Sequence, residues 1–401
     1  MTDREIKFAE EHRNEDVNDL LLHASNYPDV DMARVAAQIQ GWQTAVQKLP
    51  SWAATDGIIY PVHLSMEQCS SELTAEYKGL LISFMVENDH PFFITDLTGG
   101  FGVDAVMMAR KVENAFVTYV ERNSALCDLA RHNFPLMGVD DFDVIEGDCV
   151  EILDGLFLQD VIYIDPARRD EHGRKTYAIE DCAPDVCRLQ DQLTEKATHV
   201  MIKLSPMLDI SDVISKLKNL SELHVVSVEG ECKELLALLT DDMEETPMIC
   251  CVNIMGKGNK IGNFYFTRGE ETQAVCEYAI RPQTFLYEPN ASVMKAGAFK
   301  SVGCRCNVQK LHPNSHLYTS GILNTEFPGR KFEVVDVFSF QKQDIKRLTS
   351  SVKKANITVR NFPMSVADLR KRLKISEGGN DYLFATTLND NSKALILCKK
   401  L

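Results

Sequence analysis

The stretch TDLTGGFGVDAVMMARK, residues 95–111, decides the fold of this 401-residue chain. An apolar run enters it and ends in an acid, and three glycines then fall within four residues before a helical pattern begins. A strand, a glycine-rich turn and a helix form the first unit of an open α/β sheet, where the turn lets the backbone and the free N–H groups of the helix approach a ligand. A tight turn without any ligand is the alternative, and the surrounding residues must decide between them.

Short apolar runs alternate with helical stretches from Phe92 onward. The predicted strands are PFFITDL, AFVTYVE, FDVIEGD, DVIYIDP, HVMIKLSP and ELHVVSVE. This alternation predicts a mostly parallel sheet that is covered by helices on both faces. The segment ICCVNIMGKGNKIGNFYFT closes the block as a predicted hairpin around residues 256–262.

The regions on either side of this block have a different character. Residues 1–90 have helical periodicity, with one helix capped by Asp31 and a second that Ser65 and Gln68 open as a capping box and that runs to about Glu87. Beyond residue 278 the pattern predicts a small α+β module. We therefore predict an N-terminal helical region at 1–90, a ligand-binding α/β domain at 91–278 and a C-terminal domain at 279–401.

Three carboxylates follow successive strands of the predicted sheet. Asp96 ends the first strand, Glu121 ends the second, and Asp148 follows the third. Any one of them alone is typical of a capping or solvated residue. Together they match the needs of a nucleoside cofactor, because Glu121 can accept hydrogen bonds from both ribose hydroxyls and Asp148 can reach an adenine amine.

The glycine spacing distinguishes two cofactor classes. The dinucleotide fingerprint G-x-G-x-x-G is absent, and the acids Asp96 and Asp104 are unsuited to neighbouring phosphates. The ammonium of a methionine moiety suits these carboxylates better. The turn therefore favours S-adenosylmethionine (SAM), with a nicotinamide-dependent dehydrogenase as a distant alternative.

The fourth predicted strand ends in Asp165 and Pro166. Proline fixes the turn, so that the carboxylate and the Pro166 carbonyl can bind an acceptor amine, orient it and accept a proton. Methyl transfer needs little beyond in-line positioning of the two reactants. We therefore predict that Asp165 and Pro166 form the acceptor site.

These motifs resemble those of class I SAM-dependent methyltransferases, which have a Rossmann-like sheet. The longer pattern of KLPSW, LSMEQCSSELTAEYK, KLSP, YEPNASVMKAG and a basic C-terminal module is similar to bacterial methyltransferase-like proteins with a THUMP-like C-terminal domain, and it spans most of the chain. The resemblance implies a cofactor site made by Asp96, Thr98, Gly99, Gly100, Gly102, Asp104, Glu121 and Asp148. It implies catalytic roles for Asp165 and Pro166.

The acceptor motif departs from that of amine-methylating enzymes. Those enzymes carry a second proline and an aromatic that stacks on the flipped base, and Ala167 and Arg168 stand in their places here. An arginine can also stack on a base or grip a phosphate. Arg168 and Arg169 are therefore predicted to bind substrate, and a solvated loop in which they pair with Asp170 and Glu171 is the alternative. Lys203, which ends the fifth predicted strand and faces the same cleft, is predicted to bind substrate too, while Tyr177 is an alternative stacking residue.

Charge and cysteine content limit the partners. Residues 331–401 carry 14 Lys and Arg against 7 Asp and Glu, although the whole chain has a net charge of −15. A basic module on an acidic body favours an RNA partner, and a solvated basic face is the alternative.

The twelve cysteines include no CxxC pair, so no metal site is predicted. We expect a cytoplasmic monomer without membrane segments that methylates RNA. The alternatives are a methyltransferase for small molecules or proteins and a non-catalytic binding protein.

Overall fold

The structure, a computed structural model, describes residues 1–86, 91–167, 178–241, 246–256 and 260–401. The chain divides into two compact units, the first formed by Met1–Leu223 with Lys233–Glu245 and the second by His224–Cys232 with Thr246–Leu401. None of the helices in the described ranges is long and apolar enough to span a bilayer. The domain boundaries predicted at residues 90 and 278 stay predictions.

Six α-helices open the first unit, and one of the two caps predicted from the sequence is present. Asp31 accepts the backbone N–H of Arg34, as predicted. The second predicted helix is wrong as a single element, because it breaks after Gln68 and restarts at Glu72 with the Ser71 hydroxyl as its cap. Cys69 and Ser71 adopt an extended backbone conformation, which ends one helix at Gln68 and starts the next at Glu72. The helices are α1 (Asp3–His12), α2 (Val17–Leu22), α3 (Met32–Lys48), α4 (Pro50–Ala54), α5 (His63–Gln68) and α6 (Glu72–Ser83).

Strands and helices then alternate through the central part of the chain, as the sequence predicts. The strands are β1 (Phe92–Asp96), β2 (Ala115–Glu121), β3 (Phe142–Glu146), β4 (Gln159–Ile164), β5 (Ala197–Leu204), β6 (Leu220–Val228) and β7 (Glu231–Thr240). The helices between them are α7 (Val103–Lys111), α8 (Ser124–Leu136), α9 (Cys149–Gly155), α10 (Val186–Lys196) and α11 (Ile210–Lys216). The first unit contains the strand order β3-β2-β1-β4-β5-β7.

The order of the strands creates a switch point at β1. This strand pairs in parallel with β2 on one side and β4 on the other, with Ile94 opposite both Val117 and Val161. The chain therefore leaves β1 in one direction through β2 and β3 and returns on the opposite side at β4. In open α/β sheets, ligands bind at the carboxyl ends of the strands at such a point. Asp96 and Asp165 lie there.

β7 is a strand to which the sequence analysis assigns no structure. It pairs antiparallel with β5, with Lys203 opposite Leu236. Its second half, Glu234–Leu239, is a continuous buried run rich in leucine and alanine, which are strong helix formers. Burial on both faces overrides that propensity, and a run without alternation gives no strand period to detect.

The second unit contains the antiparallel hairpin strands and a seven-stranded sheet of order β11-β12-β10-β13-β16-β15-β14. The long strand β13 pairs antiparallel with β10 and β16, which joins the two halves of this sheet. The strands are β8 (Met248–Met255), β9 (Lys260–Phe266), β10 (Phe285–Pro289), β11 (Gln309–Lys310), β12 (Tyr318–Ser320), β13 (Gly329–Ser339), β14 (Asn356–Arg360), β15 (Asp381–Thr387) and β16 (Lys393–Lys400). The helices are α12 (Arg268–Gln273), α13 (Ala291–Ala296), α14 (Ser301–Arg305), α15 (Lys342–Ser351) and α16 (Val366–Leu373).

The fold class predicted from the sequence is confirmed. A large α/β sheet follows an N-terminal helical region, and a smaller α+β sheet ends the chain. Leu348 of α15 and Leu369 of α16 pack with Leu383 and Leu395 in a core of the smaller sheet. β8 and β9 pair antiparallel, as the predicted hairpin requires.

Candidate active site

The glycine turn after β1 is held tightly against β2. The Gly99 N–H donates to the Val120 carbonyl at 2.9 Å, and a Cβ at Gly99 would lie 2.1 Å from the Tyr119 ring. Gly102 has a φ of +84° and precedes α7 directly. Both positions therefore require glycine, because a side chain would either collide with Tyr119 or strain the backbone. The turn brings bare backbone to the carboxyl end of the sheet.

Asp96 lies fully buried beneath this turn. Its Oδ1 accepts the N–H of Thr98 at 3.0 Å. Burial raises the pKa of Asp96 well above its ordinary value even though the Thr98 N–H opposes the shift, and the carboxylates of Asp104, Asp165 and Glu121 raise it further. A cationic ligand group beside Asp96 would relieve this unfavourable concentration of acids.

Glu121 and Asp148 lie where the sequence predicts, at the ends of β2 and β3, and both bind backbone. The two carboxylate oxygens of Glu121 accept the N–H groups of Gly100, at 3.0 Å, and Asn123, at 2.8 Å. The exposed Asp148 caps α9 by accepting the Val150 N–H at 2.8 Å. Their contacts with a ribose and an adenine stay predictions.

Asp104, predicted to face the cofactor, contacts protein side chains in this structure, and its contact with the cofactor stays a prediction. Its Oδ2 accepts the hydroxyls of Ser70, at 2.7 Å, and Tyr163, at 2.9 Å, and its Oδ1 lies 3.0 Å from Lys78 Nζ. Burial acts to raise the pKa of Asp104, but the ammonium groups of Lys78 and Lys203 outweigh it and lower the pKa to about 2. Asp104 is therefore an ionised, buried carboxylate.

Asp165, at the end of β4, forms an ion pair with Lys203, at the end of β5. Lys203 Nζ lies 2.5 Å from Asp165 Oδ2. The Asp165 N–H donates to the Thr98 hydroxyl at 2.7 Å, which ties the acceptor motif to the glycine turn. Burial acts to lower the pKa of Lys203, but the acids Asp165, Asp104 and Glu234 outweigh it, so that the pKa rises above its ordinary value. The structure thus brings together three predicted site residues, Thr98, Asp165 and Lys203, from the carboxyl ends of β1, β4 and β5.

Lys78 and Glu234 complete an arrangement that the sequence analysis missed. Lys78 Nζ lies 2.9 Å and 3.0 Å from the two carboxylate oxygens of Glu234, and both side chains are almost completely buried. We call Lys78, Asp104, Asp165, Lys203 and Glu234 the ion cluster. A lysine inside the apolar run YKGLLISF and a glutamate beside LLALL are the signals that could have found it. The Ser70 hydroxyl and the Thr74 carbonyl accept N–H groups of Lys78 Nζ, at 3.2 Å and 3.5 Å.

The segment after Asp165 is described only in part. Pro166 is buried, and Ala167 exchanges two backbone hydrogen bonds with Ala183, at 2.8 Å and 2.9 Å. The predicted substrate residues Arg168 and Arg169, together with Tyr177, lie outside the described residues. Their roles stay predictions.

Two family models match the C-terminal part of the chain. One, described as THUMP domain-like, covers residues 329–400, and one described as a ferredoxin-like domain covers residues 285–328. Among proteins of curated function, none matches the chain.

Solved structures include a full-length relative. A candidate methyltransferase from Porphyromonas gingivalis W83 is 36% identical, covers 99% of this chain and 97% of its own, and superposes with a TM-score of 0.88. A SAM-dependent methyltransferase from Agrobacterium tumefaciens is 16% identical over 49% of this chain and 58% of its own, with a TM-score of 0.31. An O-methyltransferase from Bacillus cereus in complex with SAH is 13% identical over 50% of this chain and 91% of its own, with a TM-score of 0.35.

Proposed function

Because the chain belongs to the family of the Porphyromonas gingivalis W83 protein, and has a methyltransferase fold with a THUMP-like C-terminal domain, we propose that it transfers a methyl group from SAM to RNA. The observation that carries the proposal is the switch point at β1. A bare glycine turn, a buried acid and the acceptor motif meet there at Thr98, whose N–H donates to Asp96 Oδ1 and whose hydroxyl accepts the Asp165 N–H.

The residues of the glycine turn fit the cofactor. The backbone of Gly100 faces open space, where a Cβ would meet only the Thr98 carbonyl oxygen at 3.8 Å, and Asp96 gives a buried carboxylate that lacks a cationic partner among the described residues. Asp96, Thr98 and Gly99–Gly102 would hold the methionine moiety, Glu121 the ribose and Asp148 the adenine. The Oδ2 of Asp104 accepts the Ser70 and Tyr163 hydroxyls, whereas its buried Oδ1 lies 3.0 Å from Lys78 Nζ and lacks a hydrogen-bond partner among the described residues. Asp104 would act on the cofactor through its charge.

When bound, SAM supplies an electrophilic methyl group on a sulfonium. The chain's own residues would bind and orient the acceptor. Asp165 accepts a hydrogen bond from it and holds its nucleophilic atom in line, while Pro166 fixes the turn that carries the carboxylate. In-line positioning contributes the largest part of the rate, as in other reactions between two bound substrates.

The THUMP-like domain is proposed to deliver RNA. THUMP domains are associated with RNA binding, and residues 331–401 carry an excess of basic side chains. Lys346, Lys371 and Lys374 are exposed on or directly beside α15 and α16. Lysines of this kind contact phosphates without reading sequence. In this proposal residues 1–90, 91–278 and 279–401 act as a helical region, a methyl-transfer domain and an RNA-binding domain of a monomer.

The test is incubation of the full-length protein with methyl-labelled SAM and unmodified bulk RNA. We expect label in nuclease-sensitive material, and its loss in the Asp165→Ala variant. Label in protein or in small molecules but not in RNA would contradict the RNA proposal. Binding of SAM without transfer to any of these pools would favour a non-catalytic binding protein.

A further inference from the structure

The ion cluster has an open end and a closed end. Asp165 and Lys203 form the open end, where 34% and 14% of their side chains are exposed, whereas Lys78 and Glu234 are exposed by 0% and 4%. The open pair lies at the carboxyl ends of the neighbouring parallel strands β4 and β5. An acceptor bound at Asp165 would therefore also meet the ammonium of Lys203.

The closed end is fixed by its own contacts. Lys78 joins Asp104 to Glu234, and Tyr163 and Ser70 fix Asp104 from two further elements. Two ammonium groups face three carboxylates in this arrangement, so that Lys203 remains a cation with N–H donors to spare beyond the one that Asp165 accepts. A buried ion cluster costs free energy to desolvate, and a chain that needed only stability could fill the space with apolar side chains.

A fixed ammonium distinguishes between two kinds of methyl acceptor. A neutral amine nitrogen gains positive charge as it bonds to the methyl carbon, and the nearby Lys203 ammonium opposes that charge. A hydroxyl oxygen instead gains negative charge as it loses its proton, and an ammonium stabilises this charge while a carboxylate takes the proton. The Asp165–Lys203 pair therefore suits an oxygen nucleophile better than an amine.

The acceptor motif supports the same distinction from a separate observation. Ala167 stands where a base-methylating site would place a proline, and its backbone is paired with Ala183. Neither Ala167 nor Arg168 offers an aromatic ring for a flipped base. A ribose hydroxyl lies on the backbone of RNA and is reached without unstacking the base.

Resting on the proposed function, we infer that the acceptor is the 2′-hydroxyl of an RNA ribose and that Lys203 and Asp165 contact it. The hydroxyl oxygen forms a bond to the methyl carbon while the carbon–sulfur bond breaks, and its electron pair stays on sulfur. The hydroxyl proton passes to Asp165 and then to water. The products are a 2′-O-methyl ribose, the demethylated cofactor and one proton.

The position of the label tests this inference separately from the proposed function. Alkali cleaves RNA through attack by the 2′-oxygen, so a 2′-O-methyl group protects the adjacent phosphodiester. RNA labelled by the full-length protein from methyl-labelled SAM should give its label in alkali-stable dinucleotides, and DNA of the same sequence should stay unlabelled. Label in mononucleotides carrying a methylated base would overturn the inference and leave the proposed function standing. Absence of label from RNA would overturn both.

A variant of Lys203 separates a role in transfer from a structural role. We expect Lys203→Met to lower the turnover number by about 100-fold or more, as for loss of one group that stabilises developing negative charge, with SAM affinity within about threefold of wild type by equilibrium dialysis. Lys203→Arg should recover part of the rate because it restores the cation. The control is Lys218→Met, which removes an exposed lysine paired with Asp191.

The outcome that overturns the role of Lys203 is turnover by Lys203→Met within a few-fold of wild type. A parallel loss of SAM affinity and turnover, unrelieved by arginine, would show a structural role and would also overturn it. If Lys203→Met does not fold, Asp165→Asn serves as the second variant, because it keeps the shape of the side chain and removes the proton acceptor. A rate for Asp165→Asn close to that of wild type would then contradict the inference.

Discussion

Lys78 carries a charge in a place where water does not reach it. Its side chain is completely buried, and its ammonium is compensated by Asp104 and Glu234, which come from α7 and β7. Removing one partner of a buried ion pair leaves the others uncompensated, which is far more costly than the same change at the surface.

We therefore expect Lys78→Met to lower the free energy of unfolding of the first unit by about 3–5 kcal/mol. Lys218→Met, which breaks an exposed pair, should lower it by less than about 1 kcal/mol. The chain's two tryptophans, Trp42 and Trp52, both lie in the first unit, so urea unfolding followed by their fluorescence reports on it. Equal midpoints for the two variants would show that the ion cluster contributes nothing to stability.

The buried carboxyl of Asp96 should make the stability of the ligand-free protein depend on pH. Its pKa is raised in the folded protein, chiefly by burial, so the folded state binds more protons than the unfolded state at pH values between the ordinary aspartate pKa and the raised one. Stability is therefore lost as the pH rises through the folded-state pKa. Asp96→Asn should raise the melting temperature of the ligand-free protein at pH 7–8, and the difference should shrink as the pH falls toward 4.

The matched control for Asp96 is Asp148→Asn, which alters an exposed cap. Its melting temperature should follow that of wild type across the same pH range. A ligand-free Asp96→Asn protein that is less stable than wild type at pH 8 would contradict the account of Asp96 as an uncompensated buried acid.

At the scale of elements, the boundary between α5 and α6 distinguishes two possible caps. The Ser71 hydroxyl accepts the Thr74 N–H at the start of α6, whereas Ser65 lies within α5. We expect Ser71→Ala to destabilise the first unit by roughly 0.5–2 kcal/mol and Ser65→Ala to have almost no effect. Thermal melts of both variants check this. A larger destabilisation by Ser65→Ala than by Ser71→Ala would instead support the capping box that the sequence predicts at Ser65.

Elements defined by local pattern could be predicted from the sequence. β1, β2 and β4 are short apolar runs that end in Asp96, Glu121 and Asp165, and the glycine turn follows from residue types within one short stretch. The ion cluster could not be predicted in this way, because Lys78 and Glu234 are 156 residues apart and only the sheet order brings them together. The run Glu234–Leu239 likewise favours a helix until β5 pairs with it.

At the scale of the whole molecule, charge is distributed unevenly. The chain has a net charge of −15, yet its last 71 residues carry 14 basic against 7 acidic side chains. Reversing Lys346, Lys371 and Lys374 to glutamate should weaken RNA binding and reduce the slope of log K against log salt by roughly 0.7–0.9 for each phosphate that the protein no longer neutralises. SAM affinity should not change.

The control for this triple variant reverses the same number of exposed lysines in the first unit, namely Lys7, Lys111 and Lys218. Net charge changes equally in the two variants, so any difference in their RNA affinity shows that the position of the lysines on the chain matters. RNA affinities measured by filter binding at several salt concentrations should differ strongly. Equal losses would mean that the basic excess of the THUMP-like domain is a solvated face.

We propose that the turn at residues 95–111 holds SAM, and calorimetric titration of the full-length protein with SAM tests this. We expect SAM to bind at one site per chain, and Gly99→Ala to abolish binding because its added Cβ would lie 2.1 Å from the Tyr119 ring. Gly155→Ala, whose Cβ meets nothing within 4 Å, should bind as wild type does. Absence of SAM binding by the wild-type protein, or SAM binding that Gly99→Ala leaves unchanged, would contradict the claim.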